Sequence, residues 1–298
     1  MRILVTGANG LVGSRLCALL ASRGHEVTGV GRGERRAQGP FTYRSVELTR
    51  GDEVFAAVDV SKPEAVVHTA SMTEVDACER APQDAYAANV DAARFVAEAC
   101  RAKEAHLLHV STDYVFDGDA GPYSEDDLPN PRGVYATTKL MGELAVRVFA
   151  PSWAIARTAV VYGWPPAGRP NFGSWLVSSL EKGQSVKLFE DQWVSPSLAD
   201  NVAAMLAELT ERKLPGVWNT CGAEVVDRVT FGKALCEVFG FDTSLLAPSK
   251  MKDVNLPSPR PAKSGLLTAK AARELSAKPV GLAESLRRFH QDWARTCS

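Results

Sequence analysis

Residues 1–30, MRILVTGANGLVGSRLCALLASRGHEVTGV, constrain the fold more than any other stretch. Arg2–Thr6 is a run of strand formers that ends in glycine, and Leu11–Arg23 follows with apolar residues at Leu11, Leu16, Leu19 and Leu20, a helical spacing. Glu26–Val30 is again strand-like. Between the first strand and the helix lies TGANGLVG, with Gly7, Gly10 and Gly13 three apart. Glycine there permits a tight turn and lets backbone N–H groups approach a pyrophosphate at the helix N-terminus. The spacing is GxxGxxG rather than GxGxxG, which a plain glycine-rich loop also gives. The strand before it and the helix after it are what favour a dinucleotide turn.

The alternation continues along the chain. Tyr43–Leu48 reads as a third strand, Asp52–Val58 as a short helix and Ala65–His68 as a fourth strand. Pro82 to Arg101 is alanine-rich and reads as one long helix with Pro82 in its first turn. Leu107–Val110 is a fifth strand, Val134–Phe149 a helix and Trp153–Arg157 a sixth strand. This succession predicts an α/β fold, a Rossmann-type doubly wound parallel sheet with helices on both faces. YGWPPAGRP, residues 162–170, breaks the pattern, and shorter strands and helices mix beyond it. The expectation is a dinucleotide-binding domain over residues 1–162, to which later segments return, and a smaller, interleaved substrate-binding subdomain over 163–298.

The end of the second strand bears on which dinucleotide. An NAD site usually carries Asp or Glu there for the ribose 2′-hydroxyl. Here the run is VTGVGRGERR, and Arg32, Arg35 and Arg36 follow in place of a direct acid. Guanidinium groups match a 2′-phosphate, so NADPH is the expected cofactor, with NADH as the second option. A solvated basic loop gives the same string. No global field would assist anion binding, since 34 basic and 35 acidic residues leave a net charge of −1. That balance also argues against nucleic acid and anionic membranes as partners. There is no signal-peptide pattern, no membrane-length apolar run, no CxxC and no HExxH. The reading is a cytoplasmic protein with reduced cysteines and no metal; a homodimer is compatible with it.

Two further strings carry chemistry. VSTDYVFDG, residues 110–118, brings Ser111, Thr112, Asp113 and Tyr114 to the carboxyl end of the fifth strand, where ligands sit in doubly wound folds. In YATTK, Tyr135 and Lys139 are four apart on a helix and share one face. An ammonium about 5 Å from a phenol, at an effective dielectric near 20, contributes roughly 3 kcal/mol, about two pKa units. The expectation is therefore that Lys139 lowers the Tyr135 pKa toward neutrality, where a general acid is effective. Ser, Thr and Asp are also ordinary turn residues, and YxxxK alone is frequent. It is Thr112 together with Tyr135 and Lys139 that points to a pinned and protonated ketone.

TGANGLVG, STDYVFDG and YATTKLMGE, in that order, resemble the extended short-chain dehydrogenase/reductases. STDYVFDG, EVDACERAPQDAYAANVDAA, RTAVVYG, DQWVSPSLADNVA and RPAKSGL resemble the dTDP-4-dehydrorhamnose reductase family within them. The resemblance implies NADPH-dependent reduction of a nucleotide-linked 4-keto-6-deoxy sugar. It implies that Gly7, Asn9, Gly10 and Leu11 meet the cofactor diphosphate, with Gly13 also in the cofactor site, that Arg32 meets the adenosine ribose end, and that Ala70, Ser71 and Met72 line the cofactor. Tyr135 would protonate the sugar C4 oxygen, Lys139 would hold the nicotinamide ribose, Thr112 would orient the carbonyl and Asp113 would contact the sugar. Val160 stands where family members often carry an aromatic residue against the sugar. Arg260, Arg169 and Lys187 are candidates for a nucleotide diphosphate. Three rivals stay open: a 4-epimerase; a 4,6-dehydratase, which typically has an acid where Tyr114 stands; and a non-catalytic NADP-binding subunit like that of methionine adenosyltransferase.

Overall fold

The computed structural model describes residues 1–166 and 170–297, with side chains through residue 294. The first half runs β1 (Arg2–Thr6), α1 (Leu11–Ser22), β2 (Glu26–Gly31), β3 (Thr42–Ser45), α2 (Gly51–Ser61) and β4 (Ala65–His68). It continues through α3 (Val75–Arg80), α4 (Pro82–Tyr86), α5 (Ala92–Lys103), β5 (His106–Thr112), α6 (Gly133–Phe149) and β6 (Ser152–Thr158). The second half holds β7 (Val161–Tyr162), α7 (Phe172–Glu181), β8 (Val186–Phe189), β9 (Trp193–Val194), β10 (Ser197–Leu198) and α8 (Ala199–Glu211). It closes with β11 (Gly216–Asn219), β12 (Val226–Asp227), α9 (Arg228–Phe239), β13 (Leu246–Ser249), α10 (Ala269–Glu274) and α11 (Leu282–Cys297).

Seven strands form one parallel sheet in the order β3-β2-β1-β4-β5-β6-β11. The doubly wound parallel fold read from the sequence is the fold found. Because successive residues of a strand face opposite sides, both faces need an apolar partner. Val5 and Leu108 lie with Leu16 and Leu20 of α1 and Val202 and Leu206 of α8. Their neighbours Leu4 and Leu107 lie on the other face with Val58 of α2, Val96 of α5 and Val146 of α6. Each such side chain contributes about 1.5–3 kcal/mol when fully buried. A second core joins Leu176 and Leu180 of α7, Leu188 of β8, Phe231 and Leu235 of α9, and Leu286 and Phe289 of α11.

Three elements differ from the sequence reading, each for a tertiary reason. The third strand is shorter, Thr42–Ser45, because it is the sheet edge and pairs only with β2. The fifth strand is longer and includes Ser111 and Thr112, since β6 continues the register to Thr112↔Thr158. The long helix is divided: a π-helical turn, Ala87–Asp91, separates α4 from α5. No helix among the described residues is long and apolar enough to cross a membrane.

One connection places the site. Residues 262–267 thread between the loop after β5 and β9. Lys263 N donates to Gly118 O at 2.9 Å, Tyr123 N to Gly265 O at 2.8 Å, Trp193 N to Ala262 O at 2.7 Å and Ser264 N to Trp193 O at 3.0 Å. The C-terminal body is thereby stitched to the carboxyl edge of the sheet.

Candidate active site

Strand order reverses direction between β1 and β4, which opens a crevice beyond their carboxyl ends. The glycine turn leaves β1 at that point. Gly7 has φ +70°, and a Cβ on it would lie 2.7 Å from Thr69 Oγ1 and 2.9 Å from Ala70 N. A Cβ on Gly13 would lie 2.2 Å from Gly7 O. Only glycine lets the turn close against the exit of β4. Gly10 caps α1 without a side-chain hydrogen bond, and the first turn of α1, which Leu11 opens, holds no acid. An uncapped helix start of this kind suits an anion.

The Asn9 side chain is fully engaged within the protein. Its Nδ2 donates to Glu34 O at 2.9 Å and Tyr43 Oη at 2.8 Å, and its Oδ1 accepts from Arg36 N at 2.8 Å. The side chain braces the 32–36 loop. The three arginines of that loop separate as well. Arg35 is folded back: Nε donates to Ala37 O at 2.8 Å, Nη1 to Phe41 O at 2.9 Å, Nη2 to Gly39 O, and the guanidinium lies 4.1 Å over the Phe41 ring. Arg35 therefore holds the loop closed and is not free for a phosphate. Arg32 and Arg36 are exposed, with Arg32 Nη1 at 4.0 Å from Glu47 Oε2.

At the end of β4, Ala70 N donates to Thr6 Oγ1 at 3.3 Å. Ser71 Oγ and Met72 N both donate to Asn89 Oδ1, at 2.7 and 2.8 Å, and Asn89 Nδ2 donates to Thr138 Oγ1 at 3.0 Å. Asn89 is 1% exposed and sits in the π turn, whose extra residue swings it toward α6. It pins the 70–72 segment to α6, one residue before Lys139. Sequence reasoning missed Asn89, because an alanine-rich helix gives no sign of a π turn.

Thr112, Tyr135 and Lys139 come together, all buried, at the end of β5 and the first two turns of α6. The ring of Tyr114 packs edge-on against Tyr135 at 5.6 Å. The electrostatics correct the expectation. Burial pushes the Tyr135 phenol above its ordinary value; the hydroxyl of Thr112 opposes this, and the negative charge of Asp113 adds to it. Lys139 does not lower it. The ammonium is turned to the Val110 carbonyl at 2.8 Å. Burial lowers Lys139 itself to about 8, opposed by the Glu143 carboxylate one turn further along α6. The free protein thus presents a protonated phenol beside a lysine charged below about 8.

Beneath them lies a buried polar layer. Glu143 takes Arg157 of β6 through two bonds, Nε to Oε1 at 3.0 Å and Nη2 to Oε2 at 2.8 Å. His68 and His109 stack at 5.2 Å, and burial, with Lys139 second, holds both rings neutral.

The expected substrate residues divide. Asp113, expected against the sugar, is 2% exposed and has both oxygens occupied, by Thr112 Oγ1 at 3.0 Å and Ser264 Oγ at 2.6 Å. Its carboxylate is enclosed by hydroxyls from two parts of the chain. Val160 has φ +40°, a conformation costing a β-branched residue about 1–3 kcal/mol, at the joint between β6 and β7. Arg260 pairs with Asp76 of α3 at 2.8 Å. Lys187 is exposed on β8, and Arg169 lies outside the described residues. Two residues were not singled out in advance. Arg228 lies 4.5 Å over the Phe172 ring and donates through Nε to Gln192 Oε1 at 3.0 Å, while its buried Nη1 has no partner among the described residues. The DQW string contained Gln192, but nothing in it indicated Arg228.

A switch-point glycine turn beside a Thr–Tyr–Lys set defines an NAD(P)-dependent oxidoreductase of the extended short-chain dehydrogenase/reductase class. The model of the RmlD substrate binding domain family matches residues 1–295, and the chain belongs to that family. It is 36% identical to the probable low-salt glycan biosynthesis reductase Agl14 of Haloferax volcanii, over 96% of each chain. It is also 36% identical to the dTDP-4-dehydrorhamnose reductase of Streptomyces griseus, over 89% of this chain and 85% of that one. Among solved structures, a dTDP-4-dehydrorhamnose reductase from Clostridium acetobutylicum superposes with a TM-score of 0.86 at 28% identity, covering 99% of this chain and 100% of that one.

Proposed function

We propose that the protein reduces the C4 ketone of a nucleotide-linked 4-keto-6-deoxy sugar with NADPH, with dTDP-4-dehydrorhamnose as the leading substrate. The observation that carries the reading is the convergence of Thr112, Tyr135 and Lys139 beside the glycine turn. The bound nicotinamide supplies the hydride. Gly7, Gly10 and Gly13 give its diphosphate a backbone approach, and the 70–72 segment, held by Asn89, forms a wall of the cofactor groove. Tyr135 supplies the proton. A phenol held above its ordinary pKa is fully loaded as an acid at neutral pH, the state that reduction of a ketone requires. Lys139 would hold the nicotinamide ribose. Tyr114, where a dehydratase would need an acid, favours reduction over elimination.

The test is a panel of nucleotide keto-sugars assayed for NADPH consumption. Stoichiometric oxidation with a dTDP-linked 4-keto-6-deoxy sugar is expected; an epimer formed with no NADPH consumed would overturn the reading. The relative from Streptomyces griseus, a dTDP-4-dehydrorhamnose reductase by name, supports the choice of first substrate.

Arg32 supports NADPH over NADH, since it stands exposed at the end of β2. Arg32→Ala should weaken NADPH by about 10- to 100-fold, the worth of a charge-assisted bond, and leave NADH within about twofold. Arg35→Ala should instead weaken both, because the loop loses its closure. Equal losses in Arg32→Ala would remove the 2′-phosphate argument.

A further inference from the structure

The enclosure of Asp113 has a chemical consequence for Thr112, on the reading of Thr112 and Tyr135 given above. A threonine hydroxyl has one proton and two lone pairs. Thr112 Oγ1 donates its proton to Asp113 Oδ1 at 3.0 Å and accepts from Tyr114 N at 3.2 Å. One lone pair remains, and the hydroxyl adjoins the Tyr135 phenol. In this arrangement Thr112 can accept from Tyr135 but has nothing to give to a ketone oxygen.

We propose that Asp113 is a positioning residue that switches Thr112 from acceptor to donor. As a carboxylate it holds the threonine proton. As a carboxylic acid protonated on Oδ1 it donates to Thr112, whose proton then turns onto the ketone oxygen beside Tyr135. Both lone pairs of Thr112 are then filled, by Asp113 and by Tyr114 N–H, and the ketone receives two donors. Such paired donors stabilise the charge that develops on a carbonyl oxygen. The proton on Asp113 is taken up as the substrate binds and released with the product. The proton left on the product oxygen still comes from Tyr135, and the hydride from the cofactor.

The surroundings suit a switch. Burial raises Asp113 to about 6, against the opposing hydroxyls of Ser264 and Thr112 and the charge of Arg228. Tyr114, Tyr135 and Cys221, the other titratable groups that feel its charge, are all themselves raised and stay neutral. A substrate that excludes water would raise Asp113 further. Protonation also removes the negative charge that opposes ionisation of Tyr135. Ser264 belongs to the stitched segment, so the C-terminal body reaches Thr112 through one carboxylate.

Two measurements test this. In ligand-free protein labelled with ¹³C at the aspartate carboxyl, the resonance absent from Asp113→Asn should titrate near 6 and move upward in Ser264→Ala. In the NADPH assay, wild-type kcat/KM for the keto-sugar, which reports the free enzyme, should rise several-fold as pH falls through about 6. Asp113→Asn, whose amide can donate to Thr112, should lose that dependence and stay within about tenfold of the acid plateau. Ser264→Ala should shift the rise to higher pH. A carboxyl titrating in the ordinary range overturns the switch. So does a wild-type rate that falls through about 6, or a loss beyond about a hundredfold in Asp113→Asn, which would make the ionised form necessary. If no nucleotide keto-sugar is reduced, the proposed reaction fails, while the carboxyl titration and its dependence on Ser264 still decide the switch.

Discussion

Replacing Tyr135 with phenylalanine should lower kcat by about 10²- to 10⁴-fold, the range a positioned general acid contributes. The ring packs edge-on against Tyr114 within a cluster that Met72 and Val75 adjoin, so the variant keeps its shape and loses only the hydroxyl. Cofactor affinity, measured by quenching of protein fluorescence on NADPH binding, should stay within about threefold, since the turn and Lys139 are untouched. Burial holds the phenol in its protonated form, which suits a donor and would be a handicap for a base. A variant that reduces the ketone at the wild-type rate would mean that another group supplies the proton. Thr112 would be the first to consider, because its hydroxyl adjoins the phenol.

Glu143→Ala should cost about 3–5 kcal/mol of stability, because it leaves the Arg157 guanidinium charged and unpaired inside the protein. Glu143 and Arg157 are 0% and 1% exposed, so water cannot replace the lost partner. The urea midpoint reads this loss directly. Replacing both members with methionine should restore most of it, since the folded state then buries no charge. The pair also serves the site. Glu143 is the charge that keeps Lys139 from falling further below about 8, so any folded Glu143→Ala protein should lose turnover first at alkaline pH. A loss below about 1 kcal/mol would make the pair comparable to an exposed ion pair.

The parts of the molecule legible in its sequence are those fixed by short-range spacing. Gly7, Gly10 and Gly13 between a strand and a helix specify a turn that no side chain could occupy, and a Cβ on Gly13 would overlap the Gly7 carbonyl. Tyr135 and Lys139, four apart, share a helix face, and the β-then-α succession yields a parallel sheet whose switch point meets that face. Spacing said nothing, however, about where a charge points. Lys139 was expected to act on the phenol; a carbonyl on β5 took the ammonium, and burial raised the phenol. Arg35 looked like a phosphate ligand and closes its own loop on Phe41.

Sequence by itself determined the fold class, the position of the glycine turn and the presence of Thr112, Tyr135 and Lys139 at the carboxyl end of the sheet. Tertiary structure alone decided their partners and proton affinities. Ser264 meets Asp113 across 151 residues, Asn89 reaches the 70–72 segment from a π turn, and Arg157 reaches Glu143 from the neighbouring strand. Periodicity is a property of neighbouring residues. Desolvation and hydrogen bonding are set by whichever distant groups the chain brings to within 3 Å or so, and those groups set the direction of every proton in the site.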